Sequence, residues 1–175
     1  MNALLFAHLL IVLFNHCSYF NGCVCLYTSW IVAPDEEWKS WNALGDPVLH
    51  IDLRDWADIV VIAPLSAHTL AKLANGLCDD TLTCMLRAWD LGHGTRPGKP
   101  GIIAPAMNTA MYNHPLTLKQ METLVGFWKD PSQCVSVAPI TKTLACGEVG
   151  DGALAEVDTI VDAARRQIEN LKVYQ

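Results

Sequence analysis

Ile59-Val60-Val61-Ile62-Ala63-Pro64-Leu65-Ser66-Ala67-His68-Thr69-Leu70 is the stretch that decides the fold. Ile59 to Ala63 are apolar and mostly β-branched, and the run stops at Pro64. A half-exposed strand would alternate apolar with polar residues. An unbroken run marks a strand covered on both faces, as in a parallel sheet. Ser66 follows at once, and Leu70, Leu73, Ala74 and Leu77 then fall at helical spacing. Strand, tight turn and helix in succession open a βαβ unit.

Working outward, the same alternation continues. Gly76 and Asp79-Asp80 predict a break and a fresh helix cap, and Leu82, Met85, Leu86 and Trp89 form a second helical stripe. Residues 91–101, LGHGTRPGKPG, have the composition of a flexible loop. Ile102-Ile103-Ala104 is a second buried strand closed by Pro105. Pro115 is placed to start a helix carrying Leu116, Leu118, Met121 and Leu124. Val135 to Val137 is a third strand, and Val157 to Leu171 a closing amphipathic helix with Ile160, Val161, Ala164 and Ile168 on one face. Upstream, Asp35, Glu36 and Glu37 precede Trp38, Trp41 and Leu44, which predicts a short helix with acids at the positive end of its dipole. Gly45-Asp46-Pro47 ends it, and Val48 to Leu53 reads as an extended piece or a helix entry. Strands alternating with helices predict an α/β fold with an open, mainly parallel sheet of doubly wound type.

The 175 residues suit one domain. Hydrophobic residues at 51% and charged ones at 17% place the chain far from disorder. A net charge of −6 without a Lys/Arg run excludes a nucleic-acid footprint. The seven cysteines have irregular spacing and no paired C-x-x-C set, so no zinc site is expected, and they are read as reduced. His68, His93 and His114 are scattered and make no metal-ligand set. The tryptophans are read as core or interface.

Residues 1–32 form an atypical apolar segment, with the main domain taken as 33–175. Asn15, His16 and Asn21 interrupt the apolar run, so a membrane span is not well made. The run lacks the basic flank and cleavage site of a signal peptide. A buried strand or helix, a weak anchor and a misplaced start are the readings, the last preferred.

In open parallel sheets ligands bind at the carboxyl ends of strands. Here those ends are Ala63 to Thr69 and Ala104 to Thr109, both mixing small residues, which let a planar ring approach the backbone, with hydroxyls or an amide. Ser66 and Thr69 could bond a ligand, although capping the following helix is the commoner use of such a serine. His50, near Asp52, Arg54 and Asp55, is either an acid–base group or a hydrogen-bonded histidine of no special role. Asn108 could hold a carboxylate or close a local turn. Cys146 sits in a glycine-rich stretch suited to a mobile loop, as a proton donor, a nucleophile or a small buried hydrophobe.

Taken together, these segments resemble one family. DEEWKSWNALGDPVLHIDLRDWADIVVIAPLSAHTLAKLANGLCDDTLTCMLRAWD, APAMNTAMYNHP and KTLACGEVGDGALAE stand in the order of three motifs of the phosphopantothenoylcysteine decarboxylases. These are homo-oligomeric flavin-containing cysteine decarboxylases. The resemblance covers roughly residues 33 to 160. It implies a Rossmann-like, flavodoxin-like three-layer fold, FMN as cofactor, a cytoplasmic homotrimer, and decarboxylation of 4′-phosphopantothenoylcysteine to 4′-phosphopantetheine. It implies that His50 is the active-site histidine and that Cys146 supplies a proton. Asn108 would hold the substrate carboxylate, with Ala145 and Thr143 in the substrate flap. Ser66, Ala67, His68, Thr69 and Ala106 would contact the flavin.

The chain departs from the family at His68, where Asn is usual, at Tyr112, where Trp is usual, and at Thr143, where a basic residue is usual, with Lys142 one position earlier. The loop at 91–101 is longer. Residues 1–32 carry no match to the glycine- and serine-rich turn that binds the FMN phosphate. The alternatives are a regulatory subunit of a type 1-like Ser/Thr phosphatase, an inactive remnant, or an inactive partner in a mixed trimer.

Overall fold

The computed structural model describes residues 10–14, 41–143 and 149–173. Strands β1 (Leu10–Phe14), β2 (Ile59–Leu65), β3 (Gly101–Pro105) and β4 (Cys134–Ser136) form one sheet in that order. β2, β3 and β4 are parallel, while β1 runs antiparallel on β2, with Leu10 opposite Ala63 and Phe14 opposite Ile59. Strands β5 (Ile140–Thr143) and β6 (Val149–Ala153) make a separate antiparallel ribbon. The helices are α1 (Leu49–Trp56), α2 (Ala67–Asn75), α3 (Thr81–Arg87), α4 (Thr109–Tyr112), α5 (Pro115–Val125) and α6 (Val157–Val173). The expected three-layer α/β architecture with an open, mainly parallel sheet is the one observed.

Successive residues of a strand point to opposite faces. Val60, Ile62 and Leu65 therefore face a core shared with Leu70, Leu73, Leu82, Met85 and Leu124 of the helices. Ile59, Val61 and Ala63 face a second core built with Ile160, Ala163, Ala164 and Ile168 of α6. Two cores explain why the β2 sequence shows no alternation. Leu70 and Leu65 are fully buried, each worth about 1.5–3 kcal/mol by removal from water. Cys134, at the start of β4, is 6% exposed, and burial pushes its thiol up to about 12.

The helix ends follow local chemistry. Gly76 closes α2 at φ +71°, a conformation L side chains rarely adopt. Asp80 caps α3 by accepting from the Thr83 N–H at 2.8 Å, and the Thr83 hydroxyl answers to the Asp80 N–H. Burial alone would raise the Asp80 carboxyl, but these bonds and the Lys72 ammonium at 3.0 Å hold it below its ordinary value.

Several sequence expectations need correction. Trp41 to Leu44 are not helical: the chain bends at Ala43 and turns at Leu44-Gly45, where the Asp46 carboxylate accepts from the Asn42 and Ala43 N–H groups; the rest of that expected helix, 35–40, lies outside the described residues. Val48 to Leu53 resolves as a helix entry. Leu77 falls beyond the Gly76 cap and is 54% exposed. Leu116 and Leu118 also point outward, since α5 packs with Thr117 and Leu124 facing in. The 91–101 segment is tied down: Lys99 N–H donates to Asp90 O at 2.7 Å, and the Lys99 carbonyl accepts from both Trp89 Nε1 at 3.0 Å and Trp128 Nε1 at 2.8 Å. Trp89 and Trp128 are buried as expected, whereas Trp41 and Trp56 are each 40% exposed.

Candidate functional site

The two expected strand ends are joined. Ala106 N–H donates to Leu65 O at 3.0 Å, so the loop after β3 is fastened to the last residue of β2. This places Ser66 to Thr69 beside Ala106 and Asn108 across parallel neighbours. Ser66 is the N-cap of α2: its hydroxyl accepts from the Thr69 N–H at 3.1 Å and lies 3.0 Å from the Thr69 hydroxyl. Capping, the commoner use of such a serine, is thus in place. Ala67 and Thr69 are half-buried and His68 is exposed on the first turn of α2. A floor of small side chains, a hydroxyl pair and the start of a nine-residue helix fit the edge of a flat, polar-rimmed ring.

Asn108 caps α4, its carbonyl oxygen accepting from the Ala110 N–H at 2.8 Å. That bond orients the amide so that the NH₂ end points away from the helix. The local-turn reading and the binding reading are therefore compatible in one residue. Next to it, the Thr109 hydroxyl oxygen is buried without a hydrogen-bond partner. A cavity of about 460 Å³ opens beside this segment, between Pro105, Tyr112, His114, Met121, Ser136 and Pro139.

The β5–β6 ribbon is seated on the same segment. Met107 N–H donates to Gly152 O at 2.9 Å. A Cβ on Gly150 would strike the Thr109 hydroxyl, and one on Gly152 would strike the Met107 carbonyl oxygen. Close approach of this kind requires glycine. The glycines expected to make a mobile loop instead lie in a strand and permit its close docking. Thr143 ends β5, opposite Val149. Ala145 and Cys146 lie outside the described residues. Lys142 pairs with Glu156 at 3.8 Å, both well exposed, so the pair is weak and leaves the ammonium in reach of solvent anions.

His50 lies half-buried on the first turn of α1. α1 packs on α3 and has no fully buried residue; Leu53 is its contribution to the core. Polar anchors hold its last turn. Lys99 Nζ donates to Arg54 O at 2.7 Å and Ala57 O at 2.8 Å, Arg54 reaches Ala88 O at 3.5 Å, and Arg96 pairs with Asp55 at 2.7 Å. Burial pushes the Lys99 ammonium below its ordinary value, countered by Asp90, Asp58 and Asp55. No sequence signal singled out Lys99, because its partners stand more than forty residues earlier in the chain. Among the described residues no cluster of metal-ligating side chains occurs, and no helix is long and apolar enough to cross a membrane.

With this geometry, the chain can be set beside known proteins. The Flavoprotein family pattern matches residues 14–169, and the chain belongs to that family. It is 50% identical over 142 residues to a probable phosphopantothenoylcysteine decarboxylase of Arabidopsis thaliana, covering 81% of this chain and 63% of that protein. It is 52% identical over 126 residues to the phosphopantothenoylcysteine decarboxylase of Mus musculus, covering 72% of this chain and 56% of that one. The chain thus spans about three-fifths of the length of these curated relatives. Among solved structures, a PPC decarboxylase mutant complexed with pantothenoylaminoethenethiol superposes with a TM-score of 0.69 at 48% identity, covering 78% of this chain and 69% of that one. The FMN binding protein AtHal3 gives 0.65 at 49%, covering 78% and 68%.

Proposed function

We propose that this chain acts as an FMN-dependent phosphopantothenoylcysteine decarboxylase, converting 4′-phosphopantothenoylcysteine to 4′-phosphopantetheine. The observation that carries the reading is the joining of the Pro64–Thr69 and Pro105–Asn108 ends through Ala106 N–H and Leu65 O, within a chain about half identical to proteins of that name. Residues 33–175 are the functional unit in this reading, and the segment 1–32 supplies the edge strand β1. The protein is cytoplasmic and works as a homotrimer.

When bound, FMN supplies the two-electron redox chemistry that a side chain cannot. Ser66, Ala67, His68, Thr69 and Ala106 contact it. Asn108 presents its NH₂ to the substrate carboxylate and fixes its orientation. Ala145 and Thr143 border the substrate, His50 serves the acid–base step, and Cys146 returns a proton to the product carbon. The ribbon seat at Met107 and Gly152 keeps the Asn108 segment from drifting.

The test is the visible absorbance of the purified chain followed by carbon dioxide release from 4′-phosphopantothenoylcysteine. A flavin band with turnover that Asn108→Ala and Cys146→Ala abolish is the expected result. A protein that stays colourless with added FMN and releases no carbon dioxide overturns the reading.

A further inference from the structure

We propose that Lys99 is a positioning residue for His50, holding the helix that carries the imidazole in place through its carboxyl-terminal carbonyls. The inference deepens the decarboxylase reading and rests on it for the role of His50.

The argument starts from what holds α1. A helix is normally fixed by an apolar stripe pressed into the core. α1 has no fully buried residue and sends Leu53 to the edge of the core. Its last carbonyls would otherwise lack intrahelical partners. The Lys99 ammonium meets two of them, Arg54 O at 2.7 Å and Ala57 O at 2.8 Å. A cation at that end also opposes the negative pole of the helix.

Lys99 is itself immobilised. Its carbonyl accepts two indole N–H groups, from Trp89 and Trp128, and its ammonium lies 5.5 Å from the centre of the Trp89 ring. Trp128 in turn fills the space beside Gly101, where an added Cβ would come within 2.8 Å of the indole ring. The lysine therefore transmits the position of the β3 entrance, rigid and buried, to the last turn of α1. His50 stands one helical turn, about 6 Å, before Arg54 on the same helix. A tilt at the anchored end displaces the imidazole at the other. Arg54 and Arg96 add contacts to Ala88 O and Asp55, but Arg96 is 56% exposed, so its contact is screened by water.

The experiment uses the full chain loaded with FMN and compares Lys99→Met, Lys99→Arg and a control, Ile168→Ala, in the core on the opposite face of the sheet from α1. Readouts are kcat and KM for decarboxylation and the His50 ring resonance in a ¹³C-edited spectrum. In Lys99→Met, kcat falls about tenfold to a hundredfold with KM within about twofold, since misplacement of a reacting group acts on the chemical step. The His50 resonance moves while those of His68 and His114 stay. Lys99→Arg recovers most of kcat, and Ile168→Ala keeps the parent kcat despite a lower melting temperature.

An unmoved His50 resonance in Lys99→Met overturns the proposal, as does a kcat loss in Ile168→Ala equal to that of Lys99→Met. If the parent chain shows no decarboxylation, the reading of function fails, and the His50 resonance alone decides the role of Lys99. Should Lys99→Met not fold, Trp128→Phe takes one donor from the Lys99 carbonyl and leaves the ammonium. It gives a smaller His50 shift, and no shift overturns the proposal.

Discussion

Replacing Gly152 by alanine tests whether the β6 ribbon holds the Asn108 segment. Gly152 has φ +125°, and an added Cβ would strike the Met107 carbonyl oxygen. Holding a non-glycine residue in such a conformation costs about 1–3 kcal/mol. The overlap with a backbone atom cannot be relieved by rotating a side chain, so β6 must lift from Met107. That breaks the 2.9 Å bond from Met107 N–H to Gly152 O, worth about 1 kcal/mol. Together the seat loses about 2–4 kcal/mol, a shift of roughly 30- to 700-fold in the local opening equilibrium. Amide hydrogen exchange at Met107 reads this directly and should accelerate within that range. Under the proposed decarboxylase function, in which Asn108 holds the substrate, KM for 4′-phosphopantothenoylcysteine should rise, because Asn108 adjoins Met107. Parent-like protection at Met107 together with a parent-like KM would refute the claim that β6 seats this segment.

Asp80→Ala removes the α3 cap and should cost about 1 kcal/mol, read as a lower urea midpoint. Because the folded carboxyl titrates below its ordinary 3.8, its contribution is fully present above that value and is lost as pH falls through the folded one. Asp80→Asn should therefore flatten the acid limb of the stability curve. Leu70→Ala empties a fully buried site in the core that β2 shares with α2, α3 and α5 and should cost about 3–5 kcal/mol by chemical denaturation. His68→Asn restores the residue usual in the resembling family at an exposed position, so folding stability should hold while FMN binds several-fold more tightly by fluorescence titration. Unchanged affinity would remove His68 from the flavin contacts.

The sheet was legible because β2 and β3 are covered on both faces, which leaves an unbroken apolar run that few other structures produce. The candidate site's expected place follows from that, since strand ends collect ligands and parallel register brings neighbouring ends together. Short elements were not legible. Thr109–Tyr112 is a helix of four residues, too brief for periodicity, and β6 contains Gly150 and Gly152, which resemble a loop until the close approach to Met107 is seen. Nor could spacing show that Leu116 and Leu118 face water: the phase of α5 is set by what it packs on. The Lys99 anchor is a long-range pairing between a loop and a helix end, and composition described that loop only as glycine- and proline-rich.

Cys134 carries a consequence in the kinetics of chemical labelling. A thiol reagent attacks the thiolate, and burial pushes this thiol up to about 12, so the thiolate is scarce at neutral pH. The sulfur is also sealed beneath the sheet surface. Modification must therefore wait until β4 detaches, whereas Cys78 is on the surface and open to the reagent in the folded chain. The ratio of the two tagging rates is a stopwatch for fraying of that edge. It is already built into the chain and needs no introduced probe.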